Sequence, residues 1–538
     1  MSPTRWVLPR AISLSLLAPM FAVATASAQY LEPTLRSLDL GTGSVARSPR
    51  LLGMGGVSLA VPDRDASINL WDFASIPAGL ASDDTTSTLD VRPGTSALSS
   101  AARLPFGRER QNLAARGMQA QLEGVYRNRE SGGVFGLLAD VSSLRWDHPY
   151  ATTVEDRQGV RGPQAMTILG GVFPRILHEH LYWAMHLRFR SESVQDKFRS
   201  IVTNAAGEYI GLGGDELDPP TLFTPIKTNV TTSAYGLSTA YSIGASTKFA
   251  LGIEHETDNI KVRNDQTLSS YETDETRPWW NGQAALVGSF GRTFQFGMSG
   301  KGRLSDSETD WRFSRAFLAG GNALSGRGHL DTRKEKASEF SMRARWAPGR
   351  ITFAGALYTA ANKVNIDPPN SSDPTSFNRF INSTYTLLGF GPAYPDSVIQ
   401  GESRRYAFGW GGGASYRFGR STLATEVNWL RDVASTRLLG SGPRRVAWNV
   451  RAGLEHTLGA RMMGRVGYVY HRVDEDDYTA GNEYKGNAAS MGLGYAPTGT
   501  AWSLQAGYLF EFRNQDFPDP AELHQSRQNL ALQIHWAF

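Results

Sequence analysis

The chain closes on Leu530-Ala531-Leu532-Gln533-Ile534-His535-Trp536-Ala537-Phe538. Side chains alternate across an extended strand, so Leu530, Leu532, Ile534, Trp536 and Phe538 share one face while Ala531, Gln533, His535 and Ala537 share the other. The stretch before it repeats the pattern, with Trp502, Leu504, Ala506, Tyr508, Phe510 and Phe512 against Ser503, Gln505, Gly507, Glu511 and Arg513. Such a face is too long and too apolar for a solvated edge strand. A soluble β-propeller or sandwich is the competing reading, but it accounts poorly for aromatic-rich faces on strand after strand.

Working toward the N-terminus, Leu181, Trp183, Met185, Leu187 and Phe189 alternate with Tyr182, Ala184, His186, Arg188 and Arg190. Phe340, Met342, Ala344 and Trp346 alternate with Ser341, Arg343 and Arg345, and Tyr406, Phe408, Trp410, Ala414, Tyr416 and Phe418 with glycines, Ser415 and Arg417. Mean hydropathy is only −0.33, as expected when each membrane-facing apolar residue is offset by a polar, lumen-facing neighbour. The connections have a rhythm of their own. Short turns are expected at 127–132, 174–181, 243–247, 290–293, 347–351, 418–421, 458–462 and 496–501. Longer, more polar connections are expected at 194–229, 256–281, 306–336, 365–403 and 474–485. Short periplasmic turns and long external loops mark an outer-membrane barrel. The predicted fold is therefore all-β, a transmembrane antiparallel β-barrel of about 18 strands, within a range of about 14 to 18. The terminal Phe538 resembles the signal that outer-membrane proteins present to the barrel-assembly machinery, an expected partner.

Arg5 and Arg10, the apolar run 11–24 and the small residues Ala26-Ser27-Ala28 predict a signal peptide over 1–28. The run is too short for a spanning helix, which needs about 20 apolar residues. The expected organisation is then a hatch or plug over 29–85, a barrel over 86–538 and residence in the cell outer membrane. A formal charge of +4 with no clustered basic helix gives no case for nucleic acid. The absence of cysteine excludes disulfides and thiolate metal sites.

Before the first strand come Arg50-Leu51-Leu52-Gly53-Met54-Gly55-Gly56-Val57-Ser58-Leu59-Ala60-Val61-Pro62-Asp63, then Ser67-Ile68-Asn69-Leu70-Trp71 and Pro77-Ala78-Gly79-Leu80-Ala81. This order resembles the N-terminus of the FadL superfamily of outer-membrane transporters for long-chain fatty acids and aromatic hydrocarbons, and of its PorV-type relatives. The resemblance covers about 30 residues. It departs from the family at an insertion between Asn69 and Pro77 and at Ile76, where the family has asparagine. It implies a hatch plugging the periplasmic side of the barrel, with Gly53, Gly55, Gly56, Asn69, Pro77, Ala78 and Gly79 as hatch or gating residues. The three N-terminal glycines also read as a plain tight turn passing close to a barrel wall.

Arg188, Arg190, Arg343, Arg345, Arg451 and Arg465 are the lumen-facing basic candidates, with Arg417 and Arg513 on the same pattern and Glu426, Glu455 and Glu511 among the acids. An arginine fork suits the carboxylate of an anionic amphiphile; ion pairs that fill and stiffen the lumen are the plainer reading. His178-Glu179-His180 lacks zinc-site spacing, Asp474-Glu475-Asp476-Asp477 lacks that of a calcium loop, and Trp279-Trp280 reads as an interfacial anchor. No nucleophile elbow, phosphate loop or dinucleotide fingerprint is present; neither an enzyme nor a cofactor is expected, with an outer-membrane hydrolase, whose site would gather from strand ends far apart in sequence, as a further alternative. Taken together, these readings and the resemblance imply a channel for passive uptake of hydrophobic or amphipathic small molecules, with outer-membrane lipid and lipopolysaccharide as surroundings. A nonenzymatic surface or secretion scaffold and a general porin are the alternatives.

Overall fold

In the computed structural model the chain is described over residues 48–61, 87–103, 110–128, 133–147, 158–161, 166–168, 172–174, 180–196, 201–203, 209–212, 226–244, 246–265, 269–291, 293–305, 310–319, 322–330, 333–366, 401–436, 440–476, 481–516 and 522–538. The expected signal peptide and the residues Asn69, Pro77, Ala78 and Gly79 lie outside the described residues.

The described elements are helix α1 (Pro49–Gly53) and strands β1 (Thr88–Arg103), β2 (Arg110–Arg127), β3 (Val134–Asp147), β4 (Gln158–Arg161), β5 (Met166–Ile168), β6 (Val172–Pro174), β7 (Leu181–Asp196), β8 (Ile201–Thr203), β9 (Tyr209–Leu212), β10 (Ile226–Ile243), β11 (Thr247–Asp265) and β12 (Ser269–Phe290). They continue with β13 (Phe294–Arg303), β14 (Asp310–Ala319), β15 (Asn322–Leu330), β16 (Arg333–Trp346), β17 (Ile351–Ile366), β18 (Gly401–Phe418), β19 (Ser421–Thr436), β20 (Gly440–Thr457), β21 (Met462–Asp476), β22 (Gly481–Tyr495), β23 (Trp502–Asp516) and β24 (Glu522–Ala537).

Each stave pairs antiparallel with the next around a circuit that closes between β1 and β24, from Thr88 opposite Ala537 to Arg103 opposite Glu522. The wall has fifteen unbroken strands and three staves assembled from shorter ones: β4, β5 and β6 bridge β3 to β7, β13 and β14 lie in turn along β12, and β16 and β15 pair with β13 and β14. That agrees with the strand number expected from alternation. Closure matters because a bilayer offers no water to an open strand edge. On the lumen side of the seam, Asp90 is hydrogen-bonded to Gln533 (2.7 Å) and His535 (3.0 Å), and Arg92 donates to Glu123 (2.9 Å).

The two faces of the wall differ as the alternation requires. Leu530, Leu532 and Trp536 are exposed on the outside, while Asn529, Ala531 and Gln533 are buried inside. Trp346, Phe353, Tyr416, Phe418 and Trp502 ring the outside near the short turns. Phe408, Trp410, Trp429 and Trp448 form a second outer cluster about eight to ten residues further along their strands, with ring centroids 6.0–6.2 Å apart. With about 3.4 Å rise per residue and the usual barrel tilt, each residue advances about 2.6 Å along the axis, so the clusters stand about 21–26 Å apart. That is the height of a membrane-facing apolar band.

Four expectations need correction. The connection placed at 306–336 holds strands β14 and β15 and the start of β16. The connection placed at 256–281 is mostly strand: β11 runs on to Asp265 and β12 starts at Ser269. The connection placed at 474–485 is likewise strand up to Asp476 and from Gly481. Beyond the membrane both faces of a strand are wet, so apolar alternation fades while backbone pairing continues. Trp279 is not an interfacial anchor. It faces inward at 2% exposure with the Arg303 guanidinium 3.8 Å from its ring centroid, whereas Trp280 faces out at 39%.

Val466 is an outward residue near the middle of the band, 54% exposed. Val466→Arg is expected to destabilise the folded barrel by about 2–4 kcal/mol, read from urea titration in phospholipid vesicles; an unchanged midpoint would show that this face does not meet hydrocarbon.

Candidate functional site: a segment docked in the barrel lumen

Residues 48–61 lie against the inner face of the wall from β18 to β24, opposite the aromatic exterior. Their local structure follows from the residues. Ser48 caps α1 by accepting from the Leu51 amide (3.3 Å), and Pro49 opens the helix where its missing N–H costs nothing. After one turn the chain reverses through Gly55 and Gly56, with φ of +69° and +79°, a conformation that disfavours side chains. The Gly56 amide returns to the Leu51 carbonyl (2.7 Å), a helix stop of the glycine type.

The wall receives this segment through rows of small residues. Ala424 is in register with Gly453, Gly453 with Gly467, and Gly467 with Ser490. A second row runs Gly492, Gly507, Ala531 and Gly94. A β-carbon on Gly467 would lie 2.2 Å from the Gly55 nitrogen, one on Gly507 2.3 Å from the Pro49 carbonyl oxygen, and one on Gly453 2.5 Å from the Met54 oxygen. Gly53 makes the reciprocal demand, since its β-carbon would fall 2.8 Å from the Gly492 α-carbon. Backbone packs on backbone here, as only glycine allows. Leu51 and Leu52 pack with Val469, Ala488, Leu509 and Ala531, while Met54, Val57 and Val61 gather at Ala424.

Polar bonds complete the docking. The Glu455 carboxylate takes both forks of Arg50 at 2.9 Å and the Arg465 Nε at 2.7 Å. Glu426 accepts the consecutive amides of Ser58 (2.7 Å) and Leu59 (2.9 Å) on one oxygen and the Asn428 side chain (2.6 Å) on the other. Arg451 donates to the Gly56 carbonyl (2.8 Å), Ser490 to that of Gly53 (3.1 Å) and Ser415 to that of Ala60 (3.1 Å). Every wall residue in these bonds lies within eight residues of a short turn, so the segment sits toward that end of the lumen.

Of the sequence candidates, Gly53, Gly55 and Gly56 thus share this site with Arg451 and Arg465. The turn reading and the close-approach reading of the glycines both hold, at different positions. Arg188 belongs to another part of the lumen, where it pairs with Glu254 and Glu256 at 2.9 Å each, beside His186 and Lys301. Arg190 faces inward two residues above it, and Arg343 and Arg345 line the inside of β16. Sequence reasoning missed the wall glycines, although their recurrence a few residues from successive short turns was available as a signal. It also missed Arg50 as the partner of Glu455.

The fold defines a membrane-spanning β-barrel of the outer-membrane type, carrying part of its own N-terminal region inside. No family model matches the chain, and no curated protein matches it. Solved structures that resemble it include a FadL homologue of Pseudomonas aeruginosa, 12% identical over 91% of this chain and 98% of that one with a TM-score of 0.35. The toluene transporter TodX of Pseudomonas putida is 10% identical over 91% and 97%, with a TM-score of 0.33. The unliganded ferric citrate transporter FecA is 10% identical over 83% and 78%, with a TM-score of 0.38.

Because the chain has no cysteine, a Ser58→Cys variant carries a single label site. Adding Gly467→Val is expected to dislodge the segment and to raise the maleimide labelling rate at position 58 at least tenfold; equal rates with and without the valine would show that the segment is not held on this row.

Proposed function

We propose that the protein is an outer-membrane channel for passive uptake of hydrophobic or amphipathic small molecules, long-chain fatty acids among them, and that residues 48–61 belong to a hatch that gates it. The supporting observation is a segment seated across the short-turn end of the lumen by contacts that can be released. A wide barrel with an empty lumen would leak small solutes, so something has to occupy it. Glycine contacts give the segment shape complementarity without chain entanglement. The bonds to Glu426, Glu455 and Arg451 hold it in place and can be exchanged for water on opening.

An apolar lining favours an apolar cargo. Tyr358, Ala360, Ala407, Leu430, Ala447 and Val473 form one cluster on the inner face of β17 to β21. Leu430 stands in register with Ala447, and Ala447 with Val473, further from the short turns than the docked segment. The cluster is itself buried, so an acyl chain or aromatic ring entering from outside would reach it only where its covering moves aside. The buried Arg451 and Arg465 already serve Glu426, Glu455 and the segment itself. They therefore act as its fastening, and a cargo headgroup would have to displace those partners to reach them.

The test pairs conductance with uptake. Arg50→Ala with Glu426→Ala removes both fastenings, and single-channel conductance in planar bilayers is expected to rise several-fold. Entry of a labelled long-chain fatty acid into proteoliposomes should rise in parallel with conductance. Deleting 29–84 should go further in the same direction; conductance and uptake both unchanged in that deletion would overturn the hatch, and conductance rising with no fatty-acid entry would overturn the cargo.

A further inference from the structure

The described part of the docked segment ends at Val61, against β18 and β19. Val61 packs at Ala424, and a β-carbon on Gly411 would meet the Leu59 side chain at 2.9 Å. From Gly411 a row in register leads away from the segment through Ala356, Arg343, Gly297 and Val287 to Lys248. A second row, nearer the short turns, runs Gly413, Ala354, Arg345, Gln295 and Ser289.

Both rows face the lumen, on the same side of their strands as Asn281, Lys301 and Glu335, and yet solvent reaches them. Val287 is 39% exposed, and Gln295 and Arg417 are exposed as well, whereas Ala424, Glu426, Asn449 and Arg465 beside the segment are buried. Gly297 gauges the space. Among the described residues, a β-carbon there would meet nothing nearer than a Val287 methyl at 3.9 Å, against 2.2 Å at Gly467 under the segment. Ala354 and Ala356 keep the neighbouring wall equally low. A solvent-exposed valine on the inner face marks a water-filled space and not a packed core.

The charge bordering this space has one sign. Among the described residues, no inward position of β11 to β13 or β16 to β18 within six residues of a short-turn end carries an acid. Lys248 and Arg343 are engaged with neighbours, so Arg345 and Arg417 supply the charge that meets the water. The Arg345 Nε is buried without a hydrogen-bond partner, and Arg345 and Arg417 repel each other across β17. Two guanidinium groups so placed in a confined aqueous space attract mobile counter-ions.

We infer that the inner face of β12 to β18 walls a second path through the barrel, which stays open while the segment is docked and passes small anions such as chloride and acetate. Its polar floor of Ser289, Gln295 and the two arginines suits hydrated ions, which stay mobile because no cage of fixed donors encloses them. The path needs no movement of the segment, so it stands apart from the hatch and from the cargo proposed above.

The experiment measures reversal potentials of the full-length protein in planar bilayers under a KCl gradient. Wild type is expected to conduct with chloride favoured over potassium by at least about threefold. Arg345→Gln with Arg417→Gln should bring that ratio to about one, and Gly297→Trp should cut the conductance at least about threefold by filling the space. Lys261→Gln on the outer face should change neither. Maleimide labelling at Ser58→Cys should be equal with and without Gly297→Trp, which separates a blocked path from a displaced hatch. A wild type that does not conduct or that prefers potassium, or a double variant that keeps the chloride preference, would overturn the assignment. Should the double variant fail to insert, wild-type selectivity and Gly297→Trp decide alone, and undiminished conductance in Gly297→Trp overturns the path.

Discussion

A peptide group in hydrocarbon has no solvent to bond, and satisfying every N–H and C=O costs the chain its freedom to leave a strand edge open. The seam between β1 and β24 is where that constraint is met, because it joins the first strand of the wall to the last and turns a sheet into a barrel. Once closed, each strand has one face toward lipid and one toward the lumen, and the contrast between aromatic exterior and polar interior follows. The Asp90, Gln533 and His535 bonds place a polar group of the first strand against two of the last, which specifies which edges meet.

A closed wall creates an interior that must be filled, and this chain fills part of it with itself. Strands are pleated and carry side chains on both faces, so a second backbone ordinarily stands well off a sheet. The rows Ala424, Gly453, Gly467, Ser490 and Gly492, Gly507, Ala531 remove the inward side chains along one band, and α1 with its glycine reversal lies directly on the exposed backbone. The carboxylates of Glu426 and Glu455 sit beside this band, where they take the amides of Ser58 and Leu59 and the guanidinium of Arg50 in a crowded lumen. Shape holds the segment in register, and charge determines how firmly.

Charge on the outer surface follows a separate logic. Inside, acids and bases are interleaved, as at Arg188, Glu254, Glu256 and Lys301. Outside, along β16 to β18, like charges are stacked in register above an aromatic cluster. Interleaving is what a self-sufficient interior needs, because a buried charge is costly unless an opposite charge pairs with it.

Period-two hydrophobicity and short turns were enough to read the barrel, its approximate strand number and the side each residue of β23 and β24 takes, because these depend only on neighbours along one strand. The Arg50 to Asp63 stretch likewise announced a turn-rich segment of unusual glycine content. Which glycine of the wall meets which glycine of the segment depends on strands distant in sequence, and only their register brings Gly453 to Gly467 or Lys336 to Lys363. Trp279 shows how narrow the margin is: one step along a strand exchanges lipid for lumen, and only pairing with β11 and β13 decided the step. The reach of β11 and β12 beyond the membrane was decided there too, since cross-strand hydrogen bonds carry no hydrophobic pattern.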